Sequence, residues 1–262
     1  MRALLAGILL VFAALPAFAD DAAARRELVP TGTLRVGIGV GQAPSAFWTV
    51  RDAAGQPRGV TVALGQALAQ QLGVRMELRT YNGSGEVAEA GERGEWDVSF
   101  MPVDAERAKK VDFGPAYYLF TSTYLVQAGS SIRTIDEVDR SGVRVAGVAN
   151  TTTIRSAERT LKQAQIVAAG SMDEVVGLLR DGKVDAIAFG REALEGLMPK
   201  VPGSRLLGGH FHATGAAVAV PKGKPAALAY ATAFIEQAKA NGLVRKALDD
   251  AGIRGPVAPA GK

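Results

Sequence analysis

Residues 96–118 of this chain read WDVSFMPVDAERAKKVDFGPAYY. The opening run, Trp96–Phe100, is short, largely apolar and β-forming, which predicts a strand. The closing run, Asp112–Tyr118, holds a glycine–proline pair and interrupts the alternation of strand and helix patterns on either side of it. We expect this run to cross between two α/β lobes, and a cleft between two lobes suits the binding of a small molecule.

Strand and helix patterns alternate before this stretch. From Val60 to Leu72 apolar residues recur every four positions, and Gly73 follows as a helix C-cap. The other elements predicted here are strands at Leu34–Ile38 and Val74–Leu78 and a helix at Gly85–Arg93. This alternation is typical of a parallel sheet covered by helices on both faces.

The same alternation returns after the crossing. The predicted strands are Val143–Val148, Gln165–Ala168, Val184–Phe189 and Ala216–Val220, and the predicted helices are Thr152–Lys162, Met172–Arg180, one beginning at Pro225, and Leu243–Asp250. Residues 20–33 are expected to be a polar leader that precedes the first strand. Residues 254–262, rich in Pro, Ala and Gly, are expected to be a flexible tail.

The first residues have the pattern of a secretory signal peptide. Arg2 supplies the positive start, Ala3–Leu15 is continuously apolar, and Ala17 and Ala19 are small residues before a cleavage point. A membrane anchor is the alternative, but the apolar core is shorter than the roughly 20 residues that a span needs. We expect residues 1–19 to be removed and the mature chain to be periplasmic. With no cysteine, it has no lipid-attachment site.

Composition narrows the classes of partner. Of the 262 residues 48% are hydrophobic, which is ample for a packed core, and the formal net charge is +4. The charges of both signs are interspersed, so no basic run is long enough to follow a phosphate backbone. We expect no nucleic-acid partner, and the absence of cysteine excludes disulfide and thiol chemistry.

Several short motifs lack the spacing or the partners that their chemistry needs. Gly37–Gly41 begins like a dinucleotide-binding turn, but Gln42 occupies the place of the last glycine. Ser84 lies in Gly-Ser-Gly, which lacks the spacing of a hydrolase nucleophile elbow and favours a flexible loop. His210 and His212 have no third ligand nearby in sequence, so we expect no metal and no cofactor.

Residues 96–118 are similar to a sequence pattern of a known protein family, D-V followed by T-P-E-R-K-K-x-V-D-F-S-x-P-Y-Y. The further segments that follow the family's order are Gly32–Gly37, Pro44–Trp48, Gly59–Ala69, Gly142–Val145, Thr151-Thr152 and Gly182–Ala186. Together they resemble the family 3 extracellular solute-binding proteins, the polar amino-acid receptors of ABC importers. The resemblance covers Thr31 to Ala251.

That resemblance implies a type II periplasmic-binding-protein fold, in which two α/β lobes are joined by a hinge of two crossings. The first lobe is expected at residues 31–116 plus 215–253, and the second lobe at residues 122–208. The two crossings of the hinge are expected at residues 117–121 and 209–214.

The resemblance also implies a binding site in the cleft. In the family an arginine clamps the ligand's carboxylate, and here it matches Arg107; a guanidinium offers a planar fork for such a group. The Asn150-Thr151-Thr152 turn is expected to complete the clamp from the other lobe, at a helix N-terminus. The remaining candidate ligand contacts are Phe47, Trp48, Ser84, Met101, Gly190 and Arg191. Core packing is the alternative for Phe47 and Trp48.

Two departures from the family concern the ligand's ammonium group. Gly190 matches the place of an aspartate, and Pro102 the place of a serine or threonine; neither residue can hold an ammonium. We therefore expect a small carboxylate-bearing ligand, either amino-acid-like or, as the preferred alternative, an organic acid that lacks an α-amino group. Arg191 either faces the cleft, where it would suit a dicarboxylate or keto acid, or points outward.

Three functions remain open at this point. The preferred one is a monomeric receptor that delivers its ligand to an ABC permease in the inner membrane, with no catalysis. An enzyme resembling cyclohexadienyl dehydratase is the second, but Glu192 lies one place away from the matching glutamate. A ligand sensor that acts on a histidine kinase is the third.

Overall fold

The computed structural model describes residues 21–40 and 45–260. The helices are α1 (Asp21–Leu28), α2 (Val60–Leu72), α3 (Ser84–Glu92), α4 (Ala105–Ala108), α5 (Thr152–Thr160), α6 (Met172–Arg180), α7 (Arg191–Leu197), α8 (Pro225–Ala240) and α9 (Leu243–Asp250), with 3-10 turns at Asp136–Val138 and Met198–Lys200. The strands are β1 (Thr33–Gly39), β2 (Val50–Arg51), β3 (Pro57–Arg58), β4 (Arg75–Tyr81), β5 (Val98–Pro102), β6 (Val111–Val126), β7 (Arg144–Val148), β8 (Gln165–Ala169), β9 (Ala186–Gly190), β10 (Arg205–Leu206) and β11 (His212–Pro221). The predicted signal peptide, residues 1–19, lies outside the described residues.

One mixed sheet has the strand order β4-β1-β5-β11-β6-β9-β7-β8, with β10 paired on β6. In the first lobe β1 runs parallel to β4 and β5, and in the second lobe β7 runs parallel to β8 and β9. Buried apolar side chains of the described residues form four clusters, two in each lobe. The predicted α/β fold with two lobes is confirmed.

Helix α2 shows how a local sequence pattern determines one element of the first lobe. Val60, Leu64, Leu68 and Leu72 lie on one face, and all four are buried against the sheet. Gly73 ends the helix in the left-handed conformation at φ 65°, where its N–H donates to the carbonyls of Ala69 and Gln70. The predicted bounds and cap of this helix are confirmed.

Each lobe carries the same arginine–aspartate clamp between neighbouring parallel strands. Arg35 on β1 donates through its backbone N–H, Nε and Nη2 to the carboxylate of Asp97, which precedes β5. Arg144 on β7 donates through the same three groups to Asp185, which precedes β9. The clamps fix the strands whose ends face the cleft.

Strands β6 and β11 connect the two lobes as an antiparallel ribbon. Their pairing shifts register between Ala216 and Ala219, and such bulges bend a ribbon locally. The run Asp112–Tyr118, expected to interrupt the regular elements, is part of β6, because its backbone stays paired with β11. Residues 117–121 therefore lie inside a continuous strand, and the hinge boundaries stay a prediction.

The two ends of the described chain both pack against other elements. Asp21–Leu28, within the polar leader that follows the predicted signal peptide, forms α1, which packs against α8. The tail does not extend freely: Val257 forms a β-bridge with Tyr118, and the Ala258 N–H donates to the carbonyl of Tyr117 at 3.0 Å. Ala258 is also buried, so residues 254–260 lie along the inter-lobe strand β6. Residues 261–262 lie outside the described part.

Candidate functional site

A cavity of about 80 Å³ lies where the two lobes face each other. From the first lobe it is lined by Trp48, Ser84, Met101 and Pro102, and from the second lobe by Thr151, Thr152, Thr153 and Phe189. Phe120, on the inter-lobe strand β6, contributes to the same wall. Gly85 packs against Asn150, since a Cβ added at Gly85 would lie 3.3 Å from the Asn150 Cβ, so the N-termini of α3 and α5 face each other across the cleft.

Arg107 lies directly behind the first-lobe wall. It is on α4, the short helix that Asp104 caps by accepting from the N–H groups of Glu106 and Arg107. Its Nη1 donates to the Pro102 carbonyl at 3.1 Å, and its Nη2 donates to Ser84 Oγ at 2.7 Å. Both partners line the cavity, while Arg107 itself is only 3% exposed and does not.

The Arg107 guanidinium has no carboxylate hydrogen-bonded to it in the described chain, and its Nε is buried without a partner. Burial and the nearby charge of Arg155 lower the pKa of Arg107 to about 10, although Asp104 acts in the opposite direction. A buried cation without an anion is costly. Arg107 is therefore a buried cation with no hydrogen-bonded carboxylate among the described residues.

The turn before α5 supplies the second half of the site. Asn150 has the left-handed φ of 59°, which asparagine tolerates better than most residues. Thr151 is the N-cap: its Oγ1 accepts from the Ile154 N–H at 3.2 Å and donates to the Val148 carbonyl. Its hydroxyl is thus already used. Thr152 Oγ1 is buried without a partner and its residue lines the cavity, so this hydroxyl is free for a ligand.

The two aromatic candidates, Phe47 and Trp48, lie in different environments. Trp48 lines the cavity, whereas Phe47 is fully buried in the first-lobe core beneath it. The Phe47 ring packs against Trp48 and Tyr118, with centroids 4.4 and 4.6 Å away. Phe47 as a ligand contact is therefore corrected to core packing.

Two predicted contacts at the start of α7 lie outside the cavity. Arg191 Nη2 donates to the Gly209 carbonyl at 2.5 Å, and Arg191 is not among the residues that line the cavity. Gly190 is covered by the Phe120 ring and does not reach the cavity. Of the two orientations left open for Arg191, the structure has the one outside the cavity.

Glu192 also lies outside the cavity. Its Oε1 accepts from the Tyr118 hydroxyl at 2.6 Å, and its Oε2 is buried without a partner. Burial raises the pKa of Glu192, and the hydrogen bond from Tyr118 opposes part of that rise. This carboxyl group faces strand β6 at Tyr118.

Sequence reasoning missed Phe120, Phe189 and the Asp104–Arg155 ion pair. Phe120 and Phe189 look like ordinary strand residues, and only the pairing of β6 with β9 brings them to one wall. Asp104 and Arg155 are far apart in sequence and meet only across the cleft, at 2.8 Å. No local pattern signals either feature.

Within the described residues no helix is long and apolar enough to cross a bilayer. The same residues contain no group of three His, Cys, Asp or Glu side chains placed to hold a metal ion.

Two relatives of known function match the chain. The ABC transporter glutamine-binding protein GlnH of Bacillus subtilis is 26% identical over 145 residues, 55% of this chain and 53% of that protein, so the match spans about half of its length. The L-arginine-binding protein of Pseudomonas aeruginosa is 25% identical over 258 residues, 94% of each chain.

Solved structures share the fold. The ancestral amino acid-binding protein AncCDT-1, a precursor of cyclohexadienyl dehydratase, superposes with a TM-score of 0.74 at 26% identity, covering 86% of this chain and 97% of that one. The solute receptor for L-cysteine of Neisseria gonorrhoeae has a TM-score of 0.76 at 21% identity over 87% and 92% of the chains, which supports the type II periplasmic-binding-protein fold alone.

The family described as bacterial extracellular solute-binding proteins, family 3, matches residues 34–250. That match spans both lobes, β6, α4 with Arg107, and the α5 turn. The chain therefore belongs to the family 3 bacterial extracellular solute-binding proteins.

Proposed function

We propose that this chain is the receptor of an ABC importer and captures a small carboxylate without an α-amino group. The observation that carries the proposal is the buried Arg107 guanidinium, which lies one hydrogen bond behind the cavity wall and lacks an anionic partner in the described chain. A ligand carboxylate at the part of the wall formed by Ser84 and Pro102 would supply the missing charge.

The second lobe offers matching donors. Thr152 Oγ1 has no hydrogen-bond partner among the described residues, and α5 begins at Thr152 with N–H groups that point out of the helix. Because Gly85 contacts Asn150, these donors lie opposite Ser84 and therefore close to Arg107. A carboxylate bound between them would be held by both lobes, and this favours closure as a population shift.

An ammonium group has no counterpart in the cavity. No aspartate or glutamate of the described residues lines it. Pro102 and Gly190 match the places where the family's amino-acid receptors carry an ammonium ligand, and neither has a side chain that can accept a hydrogen bond. Burying an unpaired ammonium costs several kcal/mol. Although the relatives are named for glutamine, L-arginine and L-cysteine, this cavity favours deaminated acids.

Family membership supports the expected partner and location, and the sequence pattern of the first residues supports their removal. The expected partner is an inner-membrane ABC permease that docks the closed receptor, which acts as a periplasmic monomer after removal of residues 1–19. A role in sensing through a histidine kinase uses the same closure and differs only in the docking partner.

We do not propose an enzyme. One similar structure is a precursor of cyclohexadienyl dehydratase, so the fold is compatible with catalysis. The nearest candidate acid, Glu192, is held by Tyr118 outside the cavity.

A thermal-shift screen of carboxylates tests the proposal. The wild type should be stabilised by at least one member, and the Arg107→Met variant by none, because methionine keeps the apolar stem and loses the charge. Arg79→Met, at an exposed arginine on β4, is the matched control and should respond like the wild type. Equal stabilisation of the Arg107→Met variant and the wild type would overturn the assignment.

A further inference from the structure

The Phe120 ring fills the place of a side chain at position 190. A Cβ on Gly190 would lie 2.2 Å from Phe120 Cζ and 2.6 Å from Cε2, closer than atoms can approach. β6 and β9 set this arrangement, since Ser122 on β6 is paired with Gly190. The glycine is thus the residue that lets an aromatic ring reach the cavity wall.

Phe120 belongs to an apolar surface that faces the ligand space. Its ring packs against Trp48 at a centroid distance of 5.5 Å, and Phe189 continues the wall from the second lobe. Phe100 and Met101 add apolar atoms from β5. No charged side chain of the described residues lines this surface.

Most hydroxyl groups around the cavity already have protein partners. The bonded pairs are Thr49 with Thr61, Thr61 with the Trp48 carbonyl, Ser99 with the Gly37 carbonyl, Thr151 with the Val148 carbonyl and Thr153 with Ser122. Among the buried side-chain atoms of the site, Arg107 Nε and Thr152 Oγ1 have none. These two atoms belong to a residue directly behind the first-lobe wall and to a residue of the second-lobe wall.

We infer that the ligand is a monocarboxylate with an apolar body, branched aliphatic or aromatic, and that Phe120 determines this choice. The inference rests on the proposed function, because it needs the carboxylate to bind at Arg107. With the carboxylate there, the rest of the ligand lies against Phe120 and Trp48. Apolar atoms gain by leaving water at this wall, whereas a second charge would be buried without a partner.

Calorimetry on the wild type separates this inference from the proposed function. The probes are 4-methyl-2-oxopentanoate and phenylpyruvate as apolar acids, 2-oxoglutarate as a dicarboxylate, and leucine as an amino acid. At least one apolar acid should bind at least about tenfold tighter than 2-oxoglutarate. If 2-oxoglutarate binds as tightly, the inference fails and the proposed function stands. If leucine binds tightest, or if no acid binds, the proposed function fails and the inference with it.

Variants at Phe120 test the residue itself. Phe120→Leu keeps an apolar side chain but loses the ring, and we expect at least a fivefold weaker affinity for the tighter apolar acid. Phe211→Leu is the matched control, because Phe211 stacks on Tyr124 outside the cavity and should leave affinity unchanged. Circular dichroism checks that both variants fold. Unchanged affinity in a folded Phe120→Leu variant overturns the role of Phe120; if that variant does not fold, the ligand series on the wild type decides alone.

Discussion

Asp104 and Arg155 form an ion pair across the cleft, with Oδ1 and Nη2 2.8 Å apart. Asp104 also caps α4, which carries Arg107, and Arg155 lies on α5, whose first turn carries Thr152. The pair therefore joins the two helices that hold the proposed anion site.

Replacing Asp104 by asparagine should weaken ligand binding and spare the fold. Asparagine keeps an N-cap acceptor for α4 but loses the ion pair with Arg155. For a partly buried pair we expect the dissociation constant to rise roughly five- to thirtyfold. A double-mutant cycle with Arg155→Met measures the coupling by calorimetry. Additive effects of the two substitutions would contradict a direct contribution of this pair to closure.

The same carboxyl group predicts how stability responds to acid. Burial alone would raise the pKa of Asp104, but hydrogen bonding and charge from Arg155, with the Arg107 N–H, lower it below its ordinary value. Its stabilising contribution is therefore present above the ordinary aspartate pKa of about 3.9 and is lost as pH falls through the lower, folded value. The melting temperatures of the ligand-free wild type and the Asp104→Asn variant should converge below about pH 4. A gap that widens on acidification would contradict this sign.

Glu192 should have the opposite pH dependence. Its pKa is raised by burial, so the folded protein loses stability as pH rises through that value. Glu192→Gln removes the buried charge and keeps an acceptor for the Tyr118 hydroxyl. The variant should melt higher than the wild type at pH 7.5, and the difference should vanish near pH 4. A variant that melts lower at pH 7.5 would show that the ionised carboxylate stabilises the hinge.

The first lobe depends on a glycine beneath Trp96. A Cβ at Gly91 on α3 would lie 2.3 Å from the ring of Trp96, which is fully buried and donates from Nε1 to the Val87 carbonyl. Gly91→Ala should cost about 1–3 kcal/mol of unfolding free energy through overpacking. Gly177→Ala on α6 is the matched control, since nothing lies within 4 Å of its Cβ position, and it should raise stability. Chemical denaturation measures both, and equal effects would contradict the packing argument.

Local patterns predicted much of the fold. The spacing of apolar residues gave α2 and its cap at Gly73, because a helix face and a left-handed glycine are read from neighbouring residues. The length of β6 escaped prediction, since Gly114 and Pro115 look like breakers. Its partner β11 lies about a hundred residues away and supplies the hydrogen bonds that keep it extended.

For the same reason, some residues of the candidate site could be predicted from the sequence and others could not. Arg107 and Thr152 stand in short motifs, and the structure brings them to facing helices beside one cavity. Arg191 was ambiguous because side-chain direction depends on a carbonyl at Gly209, which the local sequence does not reveal. The Phe120–Gly190 contact needed the pairing of β6 with β9.

The central claim is that Arg107 binds a carboxylate in a cavity without a site for an ammonium group. Calorimetry at pH 7.5 with matched pairs tests it most directly: leucine with 4-methyl-2-oxopentanoate, phenylalanine with phenylpyruvate, and glutamate with 2-oxoglutarate. In every pair that binds, the deaminated acid should bind at least about tenfold tighter, because an unpaired ammonium would be buried. Tighter binding of the amino acids would contradict the account.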